Sequence, residues 1–172
     1  VCSSDLERLK ARLAKVVVGD PSVEGVKMGA LASHAQQADV AERVALLRQS
    51  TELVFGGGQD FAPVGEGVAQ GAFSQPTLLL CPQPLKTDNV HDVEAFGPVS
   101  TLMPYEGVEE ALVLAARGQG SLVGTLVTRD PKVAAKVIPV AAALHGRLHI
   151  LDREAARSEE HTSELQSRLH LV

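Results

Sequence analysis

Glu94 and Phe96 are the residues of this 172-residue chain whose types and spacing best suit chemistry. They stand in Glu94-Ala95-Phe96-Gly97-Pro98-Val99, introduced by His91-Asp92-Val93. A carboxylate, an aromatic ring, a permissive glycine and a rigid proline thus directly precede the apolar run Val99 to Tyr105. That order reads as a loop feeding a strand, with an acid and a ring at the strand's mouth, where open α/β sheets tend to hold ligands. The plainer alternative is that Glu94 caps the loop and Phe96 belongs to the core.

Other residues of reactive type fare less well. Cys81 is the tempting nucleophile, but a reactive thiolate needs an electropositive or hydrogen-bonding pocket and a path of approach. It ends the apolar run Leu78-Leu79-Leu80 and is followed by Pro82, so a structural role is expected. Gly56-Gly57-Gly58 and Gly65-x-Gly67 complete neither nucleotide-binding pattern and lead into no clear helix, so they read as turn glycines. His145 and His149 have metal-ligand spacing, but no Glu follows the first and Gly146 breaks any helix between them. No metal site is expected. His91, near Glu94, suits a surface or capping role better than proton transfer. No G-x-S-x-G elbow supports a serine hydrolase.

The elements that must position these groups follow from periodicity. Leu6, Leu9, Leu13 and Val17 predict a helix over 4–18, stopped by Gly19-Asp20-Pro21 with Gly19 as the left-handed cap. A loop covers 20–32. Ser33-x-x-Gln36 is a plausible capping box for a helix over 33–49, with Val40, Val44 and Leu47 on its apolar face. Short strands are expected at 52–55 and 76–81, separated by a polar connection over 59–72. Strands at 99–105, 122–128 and 147–151 alternate with helices at 108–117 and 131–144, the order of a parallel α/β sheet with flanking helices. The 122–128 strand reads as fully buried. Asp130 and Pro131 start the last helix, Pro139 should kink it, and Gly146 turns the chain into the last strand.

The composition is that of an ordinary globular domain, with 45% hydrophobic and 22% charged residues. With four Phe, one Tyr and no Trp, the core must be built from Ala, Val and Leu, which suits helices on a buried parallel sheet. A net charge of −5 leaves no basic footprint, so nucleic acid is not an expected partner. No apolar run reaches the roughly 20 residues that span a bilayer, so no membrane is expected. No secretory signal is visible, and the isolated Cys2 and Cys81 suit a reducing, cytoplasmic setting.

The ends read differently from the rest. Residues 1–6 and the tail 157–172 (RSEEHTSELQSRLHLV) resemble translated sequencing-adapter read-through, against the alternatives of a Ser4-x-x-Glu7 capping box and a terminal amphipathic helix. On this reading the natural segment is 7–156. Setting aside Asp5, Glu159, Glu160, Glu164, Arg157 and Arg168 leaves it 17 acidic and 14 basic residues, still mildly acidic.

Val93-Glu94-Ala95-Phe96-Gly97-Pro98-Val99 closely resembles the E-x-F-G-P-V motif of the aldehyde dehydrogenase superfamily. Other stretches resemble the same family in order. Gly19-Asp20-Pro21 with Met28-Gly29-Ala30-Leu31 is similar to its "GDP…MGPL" loop, with Ala30 in place of Pro. Phe73-x-x-Pro76-Thr77-Leu78, Gly120 to Asp130, and Gly146-Arg147-Leu148-His149-Ile150 resemble later strands, with Asp152 near a common Asn. Together they cover nearly all of 7–156. The wording His91 to Val99, then Thr101-Leu102-Met103-Pro104-Tyr105, is similar to a narrower group whose members act on CoA-linked semialdehydes in phenylacetate degradation.

The resemblance implies a fragment of an aldehyde dehydrogenase catalytic domain, of α/β class. It implies that Glu94 accepts hydrogen bonds from the ribose hydroxyls of NADP or NAD, and that Phe96 contacts the nicotinamide side. It also implies an aldehyde substrate, possibly CoA-linked, and a homo-oligomeric parent. In the family a Gly-Gln-x-Cys nucleophile and a general-base glutamate lie upstream of the aligned part, so no catalytic residue is assigned here and the chain alone is expected to be inactive. Parent chemistry would run through a cysteine thiohemiacetal. A non-catalytic α/β interaction module on the same scaffold is the alternative.

Overall fold

The computed structural model describes residues 3–57 and 61–152. It divides into two units, one ending at Pro104 and one beginning at Tyr105, described in turn. The sequence expectations for Cys2, Gly58, Gln59 and the tail beyond Asp152 lie outside the described residues.

The first unit opens with helix α1, Ser3–Leu13. Ser4 therefore lies inside the helix rather than at its cap. The helix also stops short of residue 18, because the β-branched run Val16-Val17-Val18 favours extended backbone. Lys27 N–H donates to Val17 O at 2.8 Å, and Val18 pairs with Met28 in an isolated bridge. Gly19 is not the left-handed cap expected of it. It pairs with Val64, so closely that a Cβ would collide with the Val64 carbonyl. Beside it, Asp20 Oδ1 accepts from Ser22 N–H at 2.9 Å, and hydrogen bonding from the Ser22 backbone and then its side chain holds the carboxyl below its usual range.

Helix α2, His34–Leu47, starts at its expected cap: Ser33 Oγ accepts from Gln36 N–H at 3.1 Å. Strands β1, Glu52–Phe55, β2, Thr77–Leu80, and β3, Val99–Leu102, form one sheet in that order. β2 and β3 are parallel, with Thr77 opposite Val99 and Leu80 opposite Leu102. β1 runs antiparallel to β2, with a register shift between Leu53 and Phe55. A parallel return needs a crossover, and the described part of the 57–76 connection holds only a three-residue 3-10 turn, Val68–Gln70. β3 ends before the expected Tyr105. Met103 leaves the ladder to pack on the core, and Pro104, which has no N–H, follows.

The core of this unit joins Leu47 of α2, Leu79 of β2, Cys81 and Val90. Val90 belongs to the one-turn helix α3, Asn89–Asp92. Asn89 fastens α3 to the end of α2, its side-chain N–H donating to Leu46 O at 3.0 Å while its Oδ1 accepts from Ser50 Oγ.

The second unit contains helix α4, Gly107–Arg117, strand β4, Ser121–Val127, helix α5, Pro131–Ala141, and strand β5, His145–Leu151. β4 and β5 are parallel, joined by the expected crossover through α5. Asp130 caps α5 by accepting from Lys132 N–H at 2.8 Å, with Pro131 in the first turn. Pro139 is accommodated within α5, which ends two residues later rather than at Leu144. Lys136 of α5 pairs with Glu109 of α4.

Two expectations need correction here. Gly146 lies inside β5 rather than in a turn, where a Cβ would stand 3.1 Å from Leu122 O. β4 is not buried: Leu122 is 89% exposed, and Val123 and Val127 are exposed as well. Among the described residues β4 is bonded on one side only, to β5, so an apolar run of the buried kind lies bare.

The contrast between β2 and β4 is measurable. Leu79, with no exposed surface, should cost about 2–5 kcal/mol on substitution to Ala, whereas Leu122→Ala should change stability by less than about 0.5 kcal/mol. Urea unfolding of the two variants checks both values.

Candidate functional site

Glu94 and Phe96 occupy the loop between α3 and β3, and both side chains are exposed, Phe96 by 65%. The ring is therefore not a core residue. Nor does the loop lie at a carboxyl edge of the sheet: β3 begins at Val99, so the loop meets the strand at its amino end. Its shape comes from the backbone instead. Gly97 N–H donates to Ala95 O and Val99 N–H to Gly97 O, each at 2.8 Å, two tight turns in succession. Pro98 O then accepts from Thr77 N–H at 2.8 Å, which welds the loop's end to β2.

Helix α2 supports the loop from the side. A Cβ at Gly97 would lie 2.6 Å from Val40 Cγ2, so only glycine permits this approach. Gln36 Nε2 donates to Phe96 O at 2.6 Å. The capping-box reading of Gln36 thus captured half of its role. Its Oε1 accepts from Ala32 N–H at 3.0 Å, one residue before the expected Ser33, and its amide N–H reaches a loop sixty positions away. No spacing rule could have disclosed that second bond. Neighbouring side chains act alike: Gln37 Nε2 donates to Phe73 O at 2.5 Å, and His34 Nε2 meets Gln70 O at 2.9 Å.

The remaining candidates settle into structural roles. Cys81 is fully buried, and its N–H donates to Leu102 O at 2.9 Å, as an inert core cysteine would. His91 Nε2 meets Pro84 O at 3.0 Å, a backbone contact within the same unit. His145 Nδ1 lies 2.6 Å from Ser121 Oγ, tying neighbouring strands together. Gly56, Gly57, Gly65 and Gly67 all adopt positive φ, as turn glycines do. Among the described residues no group of three or more His, Cys, Asp or Glu side chains could hold a metal ion, and no helix is long and apolar enough to cross a membrane.

A groove of about 610 Å³ opens beside α2, lined by Val40, Val44, Arg48, Phe61 and Phe73 among others. It includes neither Glu94 nor Phe96. The chemically suggestive pair stands on an exposed, braced loop. An exposed carboxylate can accept two hydroxyl donors, and an exposed ring offers a face to a planar group. The pair thus offers acceptor oxygens and one ring face from the same loop.

Comparison with known proteins gives these features a context. The model of the "Aldehyde dehydrogenase family" matches residues 2–161. A 3,4-dehydroadipyl-CoA semialdehyde dehydrogenase of Aromatoleum evansii is 46% identical over 156 residues, covering 91% of this chain and 30% of that protein. Protein MaoC of Klebsiella aerogenes is 46% identical over 145 residues, covering 83% of this chain and 42% of its own length. Among solved structures, a succinic semialdehyde dehydrogenase from Streptococcus pyogenes, in complex with NADP+, superposes with a TM-score of 0.68 at 28% identity, over 86% of this chain and 30% of that one. An aldehyde dehydrogenase from Bacillus cereus gives a TM-score of 0.71 at 23% identity, over 87% of this chain and 28% of its own, a likeness of fold. The chain spans less than half the length of the curated relatives it matches.

The burial of Cys81 has a simple chemical test. In a Cys2→Ser variant, a thiol reagent should find no rapidly reacting group until denaturant is added, and then one per chain. Fast labelling of the folded variant would show that Cys81 is open to attack.

Proposed function

This chain belongs to the aldehyde dehydrogenase family, and we propose that it is the part of such an enzyme that supplies a cofactor-contacting edge of the active site. The observation that carries the reading is the loop Glu94–Pro98, with an exposed acid and ring on a backbone braced by β2 and α2. Glu94 would accept hydrogen bonds from ribose hydroxyls of NADP or NAD, and Phe96 would pack on the nicotinamide side. A bound nicotinamide nucleotide would supply the hydride acceptor. This chain's own contribution is to hold and orient that end of it.

The complete protein, on this proposal, oxidises an aldehyde to an acid. The 46% identity to a CoA-semialdehyde dehydrogenase supports a CoA-linked semialdehyde as substrate. Attack by a cysteine thiolate would give a thiohemiacetal, hydride loss a thioester, and activated water the acid. The thiolate and its general base would be supplied upstream of the residues aligned here. Residues 7–156 would be the family-derived portion, and the whole enzyme a cytoplasmic homo-oligomer with neither nucleic-acid nor membrane partners.

Two measurements test this. The full reading frame should carry a Gly-Gln-x-Cys element before residue 7, and its product should reduce NADP or NAD with a CoA-linked semialdehyde. A genuine start codon there, without that element, favours a non-catalytic module. The chain by itself should bind NADP weakly or not at all by calorimetry, since one ribose contact cannot replace a dinucleotide fold. Tight binding by these 172 residues would contradict the proposal.

A further inference from the structure

We propose that Gln36 is a positioning residue for the loop Glu94–Pro98, holding the Phe96 carbonyl so that the side chains of Glu94 and Phe96 keep one orientation. The functional importance of that orientation rests on the cofactor reading above; the placement of Gln36 does not.

The orientation of one amide is fixed by its partners. Gln36 Oε1 accepts from Ala32 N–H at 3.0 Å, which can be satisfied only by the oxygen. The nitrogen is thereby turned the other way, and donates to Phe96 O at 2.6 Å. The first bond thus orders the group that makes the second. Val40 lies one helical turn further along α2, on the same face. It abuts Gly97, the next residue of the loop, with no room for a Cβ between them. Two consecutive loop residues are therefore held by two side chains of one helix face, one by a hydrogen bond and one by contact.

The helix itself is held against rolling. Ser33 caps its first turn, Gln37 donates to Phe73 O and His34 meets Gln70 O. These bonds leave α2 a fixed frame, while the loop's own ties are the short bonds at Gly97 and Val99 and the bond from Thr77 to Pro98 O. All of the latter hold Gly97 or residues after it, except the acceptor at Ala95. Phe96 O is a point at which a side chain from outside the loop holds the segment that carries Glu94 and Phe96.

Gln36→Glu separates positioning from capping. The carboxylate keeps the acceptor for Ala32 N–H but has no donor for Phe96 O, so it sets two oxygens against each other. In the labelled chain, amide hydrogen exchange should show protection at Gly97 and Val99 falling about tenfold, with Ala32 protection and the melting temperature nearly unchanged. Gln36→Met, which can neither donate nor accept, should lower protection at both places. Unchanged protection at Gly97 and Val99 in folded Gln36→Glu overturns the proposal; so does an equal loss across all of α2, which would mark a purely structural role.

In the complete enzyme, Gln36→Glu should raise KM for the nicotinamide nucleotide about tenfold and leave kcat within about threefold. A loosened loop with unaltered KM would uphold Gln36 as the loop's anchor and overturn the reading of that loop as a cofactor edge.

Discussion

The first unit depends on the burial of β2 between two neighbours. Its residues Thr77, Leu78 and Leu79 are buried, and Cys81 continues that inaccessible line just past the strand. Because β1 takes one edge and β3 the other, β2 has no backbone edge left for solvent. The candidate site is attached directly to this strand, since Thr77 N–H at the start of β2 bonds Pro98 O at the end of the loop. What looks like an independent surface loop is therefore an outgrowth of the most deeply buried element, and its rigidity is borrowed from the core.

Much of this was legible in the sequence, where local physics decides the outcome. Ser33 capping α2, Asp130 and Pro131 starting α5, and the apolar strands around Leu79 and Leu126 follow from preferences acting over a few residues. Failures arose where partners distant in sequence overrode those preferences. Gly19 has the composition of a helix stop, yet Val64 draws it into a bridge. Gly146 has the look of a turn, yet it lies within β5 in close contact with Leu122. The direction of β1 depends on how a long connection returns, which alternation of side chains cannot encode.

The site divides along the same line. The residue types of Glu94, Phe96, Gly97 and Pro98 were readable, and their family resemblance gave them a role to be tested. The means of support was not. Glutamine is a common surface residue, and Gln36 lies sixty positions from the carbonyl it bonds. Gly97 illustrates the join between the two kinds of information. A glycine before proline suggests turn chemistry, whereas its demand here is for an absent side chain beside Val40. The groove by α2 is lined by neither Glu94 nor Phe96, so that concavity and the chemically suggestive pair are separate features of this unit.

The bare edge of β4 has a consequence for how this polypeptide behaves as a material. Leu122, Val123 and Val127 present apolar side chains along a strand whose outer backbone groups are not paired with another strand among the described residues. Such an edge is a template for further strands. Concentrated solutions should therefore favour slow, irreversible clouding over crystallisation, and low concentration or a mild chaotrope should delay it more effectively than added salt, because the attraction involved is not between charges.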